Sequence, residues 1–153
     1  MAVPKNTPLT ASRGYAPVAF WWADSQRVPR THPTLQRAAE WLITRQKPDG
    51  GWGEHFTGCL RQEYAEHPVA QATMTSWAVL ALCEIVGADH SAVARGAAWL
   101  TAHQSDRGSY PRAAVNGVFF GTAMLDYDLY RAYFPVWALA AATHSGVESI
   151  ARK

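Results

Sequence analysis

The stretch RAAEWLITRQKPDGGW, residues 37–52, joins a helical pattern to an abrupt stop. Apolar residues recur at helical spacing along one stripe: Leu35, Ala38, Ala39, Leu42 and Ile43. Pro33 suits a first helical position, because a proline there gives up no helical hydrogen bond. The run KPDGG then interrupts the pattern. We therefore predict a helix that begins near His32 and ends before Lys47.

A copy of this stretch, RGAAWLTAHQSDRGSY, follows 58 residues later at residues 95–110. Both copies end in the order glutamine, three residues, glycine, one residue, aromatic, carried by Gln46, Gly50 and Trp52 and by Gln104, Gly108 and Tyr110. A glutamine amide can bond the free backbone groups at helix ends, glycine permits a chain reversal, and the ring can pack over the turn. One copy would indicate only a helix stop. Two copies in register indicate a repeated structural unit.

Three further helices complete the repeat. Residues 70–86 are apolar on nearly every face, which is typical of a helix buried on all sides, and Gly87 ends them. We predict the next helix over residues 91–104 and the last one from the second half of residues 117–135 through Thr143. Repeated helical hairpins predict an all-α fold, either an α/α solenoid or part of an α/α barrel, also called a toroid.

The repeat defines three regions of the chain. Residues 1–30 contain four of the nine prolines and predict a loosely structured lead-in that docks through the rings of YAPVAFWW, residues 15–22. Residues 31–146 carry the repeat, and residues 147–153 form a tail. Two repeats are fewer than such a fold normally needs. We therefore expect a piece of a longer ring, or a chain that pairs with another subunit.

Composition excludes several classes of function. The net charge is +2 and the fourteen Lys and Arg are scattered, so no nucleic-acid partner is expected. The apolar runs are shorter than the roughly 20 residues that cross a bilayer. The two cysteines make no disulfide framework and the N-terminus has no signal-peptide core, so we expect a cytoplasmic protein. Seven Trp among eighteen aromatics require an explanation.

Six of those rings lie in GVFFGTAMLDYDLYRAYFP, residues 117–135: Phe119, Phe120, Tyr127, Tyr130, Tyr133 and Phe134. They could fill the core or line a cavity that holds something electron-poor. Tyr127 and Tyr130 are three apart and would share one side of a helix. Asp126 and Asp128 would then point to different sides and could not share a proton. We expect them to be solvated or ion-paired, with Arg131 as a partner for Asp128.

Cys59 is a second candidate, because it follows Trp52 by seven residues in GGWGEHFTGC. It could be a small buried hydrophobe. A zinc site formed by His55, Cys59 and His67 is conceivable, but one cysteine and two loosely spaced histidines match no common ligand pattern. We expect no metal and no cofactor.

The repeated glutamine-to-aromatic motif resembles the QW repeat of the triterpene cyclases, the squalene-hopene and oxidosqualene cyclases. The resemblance covers residues 32–142, through RAAEWLITRQKPDGGWGEHF, QATMTSWAVLALCEIVGADHSAVARGAAWL and GVFFGTAMLDYDLYRAYFPVWAL. It implies the last part of a catalytic domain built as an α/α barrel, a squalene- or oxidosqualene-like polyprenyl substrate, and attachment to a membrane surface. Such enzymes fold a linear polyene into fused rings through carbocations.

The resemblance also implies roles for single residues. Phe119, Tyr127 and Tyr130 match cavity aromatics that stabilise cations, whereas Phe120, Tyr133 and Phe134 are expected to be structural. Cys59 matches a cysteine that tunes the acid in the oxidosqualene type. Ala123 stands where hopene cyclases carry another aromatic.

One part of the family pattern is missing. The family's protonating acid lies in Asp-x-Asp-Asp or Asp-Cys-Thr, and neither motif occurs in the chain. We therefore expect a C-terminal piece of a cyclase without activity of its own. The alternatives are a non-catalytic α/α-hairpin binding or assembly module and a prenyltransferase β-like subunit. The latter should show zinc ligands, and the sequence presents no convincing set.

Overall fold

The computed structural model describes residues 29–61, 63–115, 117–119 and 123–143. Its elements follow the order α1 (Pro33–Thr44), α2 (Thr57–Arg61), α3 (Ala72–Val86), α4 (Ser91–Ala102), β1 (Gly117–Phe119), β2 (Ala123–Leu125) and α5 (Tyr130–Thr143). The predicted lead-in lies outside the described residues except for residues 29 and 30, and so does the tail at 147–153.

Helices α1 and α4 are structural copies, as the 58-residue repeat predicts. Each is capped at its N-terminus by a histidine: His32 Nδ1 accepts the Thr34 N–H, and His90 Nδ1 accepts the Ala92 N–H, both at 3.2 Å. This satisfies one of the backbone donors that a helix start leaves free. Leu42 and its copy Leu100 both face the core.

Helix α3 is the centre of the fold. It packs against α1, α4 and α5, which confirms the prediction of a helix surrounded by protein. Its fully buried side chains include small polar ones, which lose little entropy on burial and bond locally. Ser76 Oγ, for example, donates to the Ala72 carbonyl at 2.6 Å.

Helix α5 packs against both α3 and α4. It begins at Tyr130 and ends at Thr143, as predicted for the last helix, and Pro135 lies buried within it. The α1–α3 and α4–α5 pairs are the two α/α hairpins, so the fold is that of α/α-hairpin repeats belonging to an α/α barrel.

A short antiparallel ribbon interrupts the helical pattern. Strand β1 pairs with β2 in the register Gly117↔Leu125, Val118↔Met124 and Phe119↔Ala123. Helical periodicity does not anticipate this ribbon, because strand pairing depends on a partner segment and not on spacing within one segment. It leads the chain from the second glutamine motif into α5.

Candidate functional site

The first glutamine motif ties two helices together through one side chain. Gln46 Nε2 donates to the Gly50 carbonyl within the turn and to the Ala92 carbonyl in α4, each at 2.8 Å. Its Oε1 accepts a hydrogen bond from the Arg95 guanidinium. The Gln46 amide therefore stabilises the chain reversal at Gly50 and holds α4 against this turn.

The aromatic residue that closes each turn is anchored by its polar atom. Trp52 Nε1 donates to the Leu42 carbonyl at 2.8 Å, and the Tyr110 hydroxyl donates to the Leu100 carbonyl at 3.0 Å. Both rings are buried. The two rings thus repeat one arrangement, in which different donor atoms satisfy equivalent carbonyls.

The second turn repeats the first with fewer contacts. Gln104 Nε2 donates to the Gly108 carbonyl at 3.0 Å, as Gln46 does to Gly50. Asp49 in the first turn accepts the Trp99 Nε1–H at 3.1 Å, whereas Arg107 stands at the equivalent position of the second turn. The two turns therefore share the hydrogen bond from glutamine to glycine but differ in their other side-chain contacts.

Aromatic rings converge where α5 packs on α3. Tyr130 meets Trp77 at 5.8 Å and Phe134 at 5.4 Å between ring centroids, and Trp77 meets Phe134 at 5.5 Å. Further edge-to-face, tilted or stacked contacts extend the group, which we call the aromatic cluster: Trp77, Tyr127, Tyr130, Tyr133, Phe134 and Trp137. Edge-to-face packing exposes the electron-rich face of one ring to the edge of another. Rings in this arrangement can hold a cation at their faces.

Two of the three predicted cavity residues, Tyr127 and Tyr130, lie in the aromatic cluster. Tyr130 lies at the centre of the aromatic cluster and Tyr127 contacts it at 5.1 Å. The prediction that one helix carries both is wrong, because α5 begins only at Tyr130 and Tyr127 lies in the preceding turn. Phe119 belongs to β1, and its side chain lies outside the described residues, as does Phe120.

Trp77 and Trp137 are the two cluster members that the sequence analysis missed. The Trp77 Nε1–H is enclosed and has no hydrogen-bond partner. Tyr133 and Phe134, expected to be structural, lie 4.4 Å apart in the same group of rings, and Tyr133 is 44% exposed. The repeat contains a signal for Trp77. The segments TSWAVLAL, residues 75–82, and PVWALAAA, residues 135–142, place Trp77 and Trp137 at matching positions.

Ion pairs hold the segment that carries Tyr127. Arg131 Nη2 donates to Asp128 Oδ1 at 3.0 Å, which confirms the predicted pair, and its Nη1 donates to the Tyr110 carbonyl at 2.9 Å. Arg112 binds Asp126 Oδ2 through both Nε and Nη2, at 3.1 and 2.5 Å. The two aspartates around Tyr127 are thus tied to neighbouring segments, and Arg131 joins the second turn to the start of α5.

Cys59 lies half-buried on α2. The rings of His55 and His67 stack at 5.9 Å, but their Nδ1 atoms bond locally, to Thr57 Oγ1 at 2.8 Å and to the Val69 carbonyl at 2.7 Å. Across residues 29–61, 63–115, 117–119 and 123–143, no three His, Cys, Asp or Glu side chains are placed to hold a metal ion. Nor does any helix of these ranges have the length and apolarity to cross a membrane.

Glu54 is a titratable side chain that the sequence analysis also missed. Its Oε1 is enclosed without a hydrogen-bond partner, and burial raises the pKa of Glu54 to about 7. A raised pKa makes a carboxyl a weaker acid, so Glu54 is no substitute for the strong acid that protonates an alkene. Below about pH 7 it keeps its proton and can then donate a hydrogen bond. No spacing in the sequence marks it, since the carboxyl is enclosed only in the folded chain.

Comparison with known proteins matches most of the chain to one family. The family model described as squalene-hopene cyclase C-terminal domain matches residues 21–144. This match begins within the segment expected as a lead-in and ends one residue after α5.

Individual relatives agree with the family model. The chain is 36% identical over 105 residues to lanosterol synthase of Homo sapiens, covering 69% of this chain and 14% of that protein. It is 39% identical over 111 residues to squalene-hopene cyclase of Bradyrhizobium diazoefficiens, covering 71% and 17%. It is 38% identical over 109 residues to α-onocerin synthase of Lycopodium clavatum, covering 69% and 14%. The chain therefore spans between 14% and 17% of the length of these three relatives.

Proposed function

The chain belongs to the squalene-hopene cyclase C-terminal domain family, and from this membership we propose that it supplies part of the cavity wall of a triterpene cyclase. The substrate would be squalene, oxidosqualene or a similar polyprenyl chain, as the family resemblance implies and as the name squalene-hopene cyclase suggests for squalene. Cyclisation of such a chain requires an acid, exclusion of water, and electron-rich groups near the developing positive charge. The cavity wall would provide the electron-rich groups.

The observation that carries this proposal is the aromatic cluster. Tyr130 touches four other rings, and Tyr127 extends the cluster toward solvent with 47% of its surface exposed. Ring faces stabilise cations electrostatically by about 0.5–2 kcal/mol each, and most where water is excluded. We propose Tyr127, Tyr130 and Phe119 as cation-stabilising residues and add Trp77 to them.

Two other residues keep proposed roles of a different kind. Cys59 would tune an acid supplied by another part of the barrel, as the family resemblance implies. Trp52 would hold the wall together, because its ring is buried and its Nε1 is bonded to Leu42. By itself, the chain would not cyclise a polyene, since neither acid motif occurs in it.

Cation binding by the aromatic cluster can be measured directly. We would titrate the full chain with a dodecyl trimethylammonium salt below its micelle concentration, and with the uncharged compound in which a tert-butyl group replaces the ammonium. The Trp77 indole N–H signal in the NMR spectrum reports binding at the cluster. We expect the cation to bind about 2- to 30-fold more tightly than its neutral counterpart.

Matched variants localise that preference. Tyr130→Leu removes the central ring and should abolish the preference for the cation. Tyr64→Leu removes a ring that contacts Trp41 at 5.2 Å, outside the cluster, and should leave the preference intact. Equal affinities for the charged and uncharged compounds in the wild-type chain would contradict the proposal.

A second candidate function, assembly with further helices, rests on the outer surface of α5. Four large apolar side chains near this surface are 43–59% exposed: Leu129, Tyr133, Val136 and Trp137. The 14–17% share of its relatives' length suggests the occupant, namely other α/α helices of a barrel. Val136→Lys should then weaken association with a co-expressed upstream barrel segment of a relative, measured by co-purification, and unchanged recovery would exclude this surface.

A further inference from the structure

Residues 53–61 and 63–67 belong to one loop, which carries α2 and Cys59 and which we call the Cys59 loop. The two ends of the loop are paired with each other, since the His55 N–H donates to the Ala65 carbonyl at 2.7 Å. Contacts made by one end of the loop therefore restrain the other end and also α2 between them.

The end of α1 holds one end of the Cys59 loop through an aromatic ring. Tyr64 packs edge-to-face on Trp41, with ring centroids 5.2 Å apart and planes at 86°. The Arg45 guanidinium lies 5.1 Å from the Trp41 ring centroid and 5.0 Å from that of Tyr64. A cation over a ring face is attracted to it, and edge-to-face packing of the two rings adds to this attraction. Tyr64 is therefore attached to α1 by two different contacts.

An ion pair joins the same end of the loop to the first glutamine turn. Lys47 Nζ lies 2.6 Å from Glu66 Oε1, and only 11% of the Lys47 side chain is exposed. Alternate residues of an extended segment point to one side, so Glu66 reaches this turn on the side where Tyr64 reaches α1. Removing the carboxylate would leave an enclosed ammonium without this partner, which is costly. The ion pair is therefore a second attachment of the loop to the same part of the fold.

The second repeat has other side chains at the positions of both cations. The 58-residue shift matches Arg45 to His103 and Lys47 to Ser105. His103 stacks on Trp99 at 4.0 Å, and Ser105 bonds within its own turn. The repeated turn therefore forms without a cation at either position. Arg45 and Lys47 thus serve the Cys59 loop rather than the turn itself.

Helix α2 cannot fix its own position. It has five residues, Thr57–Arg61, and of these only Gly58 is buried. A helix of this length is not stable by itself, because few hydrogen bonds follow its costly first turn. It nevertheless packs on β1, the strand to which Phe119 belongs. This placement of α2 therefore depends on the contacts that hold the loop.

We propose that five side chains are positioning residues for Cys59: Trp41, Arg45, Lys47, Tyr64 and Glu66. By holding the loop on α1 and on the first glutamine turn, they fix where α2 places the Cys59 thiol relative to β1. This role rests on the proposed function, in which the thiol tunes an acid supplied by another part of the barrel. The restraint itself can be measured without that acid and without a substrate.

Thiol labelling of the full chain measures the restraint. Fluorescein maleimide is too bulky to reach a half-buried thiol unless the loop opens, and peptide mass spectrometry distinguishes Cys59 from the buried Cys83. Tyr64→Leu removes the ring contacts to α1 and should speed labelling of Cys59 about 5- to 30-fold, as the loss of contacts of this strength predicts for a local opening. Cys59 should react faster than Cys83, because the loop opens while α3 stays folded.

Matched variants separate the restraint from general stability. Tyr64→Phe keeps the ring and should label like the wild type. Lys47→Met should speed labelling of Cys59, and Lys47→Arg, which keeps the charge, should restore the slow rate. Arg131→Met removes contacts at the start of α5 and should leave the Cys59 rate unchanged even though it lowers the free energy of unfolding. An unchanged Cys59 rate in Tyr64→Leu overturns the proposal, and so does equal acceleration in Arg131→Met.

Hydrogen exchange provides a measurement that does not involve the thiol. The His55 amide closes the base of the loop and should exchange about 5- to 30-fold faster in Tyr64→Leu, or in Arg45→Met if Tyr64→Leu does not fold. Exchange at the wild-type rate in these variants contradicts the restraint. That outcome is distinguishable from failure of the cyclase proposal, because the preference for a cation is measured at the aromatic cluster and loop opening at the Cys59 loop.

Discussion

Glu54 shows how a single side chain acquires properties that its sequence neighbours do not reveal. It lies two residues after the buried Trp52, and burial alone raises its pKa from 4.5 to about 7. Nearby Glu66 behaves oppositely, since its hydrogen bond and ion pair with Lys47 at 2.6 Å lower its pKa. Two glutamates twelve residues apart thus differ in charge near pH 6, because their environments differ although their type does not.

The raised pKa of Glu54 predicts a specific dependence of stability on pH. The unfolded chain releases this proton near pH 4.5 and the folded chain near pH 7, so between these values the folded state binds more protons. The free energy of unfolding should therefore fall as pH rises from 4.5 to 7, by at most about 3 kcal/mol. Glu54→Gln cannot ionise and should remove this fall.

Urea unfolding at several pH values between 5 and 8 measures the effect as the difference in unfolding free energy between the wild type and Glu54→Gln. Contributions that both proteins share cancel in this difference. The exposed Glu63→Gln serves as the control and should leave the slope unchanged. Parallel curves for the wild type and Glu54→Gln would refute the prediction.

At the scale of elements, the two glutamine turns have the same backbone but different surroundings. Gly50 and Gly108 both adopt a positive φ, +95° and +75°, which favours glycine. A methyl at Gly50 would lie 2.7 Å from the Arg95 carbonyl, whereas one at Gly108 meets only Gln104 Nε2 at 3.5 Å. The first turn is packed against α4, and the second faces a flexible side-chain end.

Alanine substitutions should separate these contributions. Gly108→Ala carries the backbone strain alone and should cost about 1–2 kcal/mol of unfolding free energy. Gly50→Ala adds a backbone clash and should cost measurably more. Gly87→Ala, at φ +93° and ψ 153° with no atom within 4 Å, measures strain without contact in a different backbone conformation that is essentially restricted to glycine. Thermal or urea unfolding ranks the three, and a Gly50 variant as stable as the Gly108 variant would disprove the role of the clash.

The start of α5 depends on a side chain that bridges two elements. Arg131 bonds Asp128 within its own turn and the carbonyl of Tyr110 across from it. Arg131→Met should speed hydrogen exchange of amides in residues 128–133, because it frees both partners. The free energy of unfolding should fall by only about 1 kcal/mol, since the ion pair is partly exposed.

Arg30→Met is the matched control for that experiment. It breaks another ion pair, with Glu84 at 3.2 Å, that lies far from α5 in sequence and whose arginine is more exposed. Exchange in residues 128–133 should not respond to it. Equal exchange rates in the Arg131 variant and the wild type would show that the bridge does not hold this segment.

At the scale of the whole molecule, the aromatic rings proposed to bind cations are present, but the acid motifs of the family are not. The chain presents a cluster of electron-rich rings, but its 153 residues contain neither Asp-x-Asp-Asp nor Asp-Cys-Thr. We expect the purified chain to convert neither squalene nor oxidosqualene, because neither motif is present to protonate an alkene or an epoxide. Extraction and mass spectrometry of incubated substrate provide the measurement, and any cyclised product above the level of a heat-denatured sample would contradict the expectation.

The sequence alone determined the repeat and the helices that the repeat implies. A helical stripe, a glycine turn and a copy 58 residues away predict α1, α3, α4 and α5, because these signals are local and periodic. They also predict the buried rings of Trp52 and Tyr110. These same signals wrongly place Tyr127 inside the last helix. Helix α5 starts only at Tyr130, and local spacing does not reveal that start.

Only the tertiary structure decided which side chains share an environment. Trp77 and Tyr130 are 53 residues apart and meet because α3 packs on α5. Glu54 and Gln71 are joined because the chain between them folds back on itself, and that enclosure, not the residue type, sets the pKa of the carboxyl. Burial and long-range contact depend on the summed packing of all elements. A local pattern in the sequence therefore cannot encode them residue by residue.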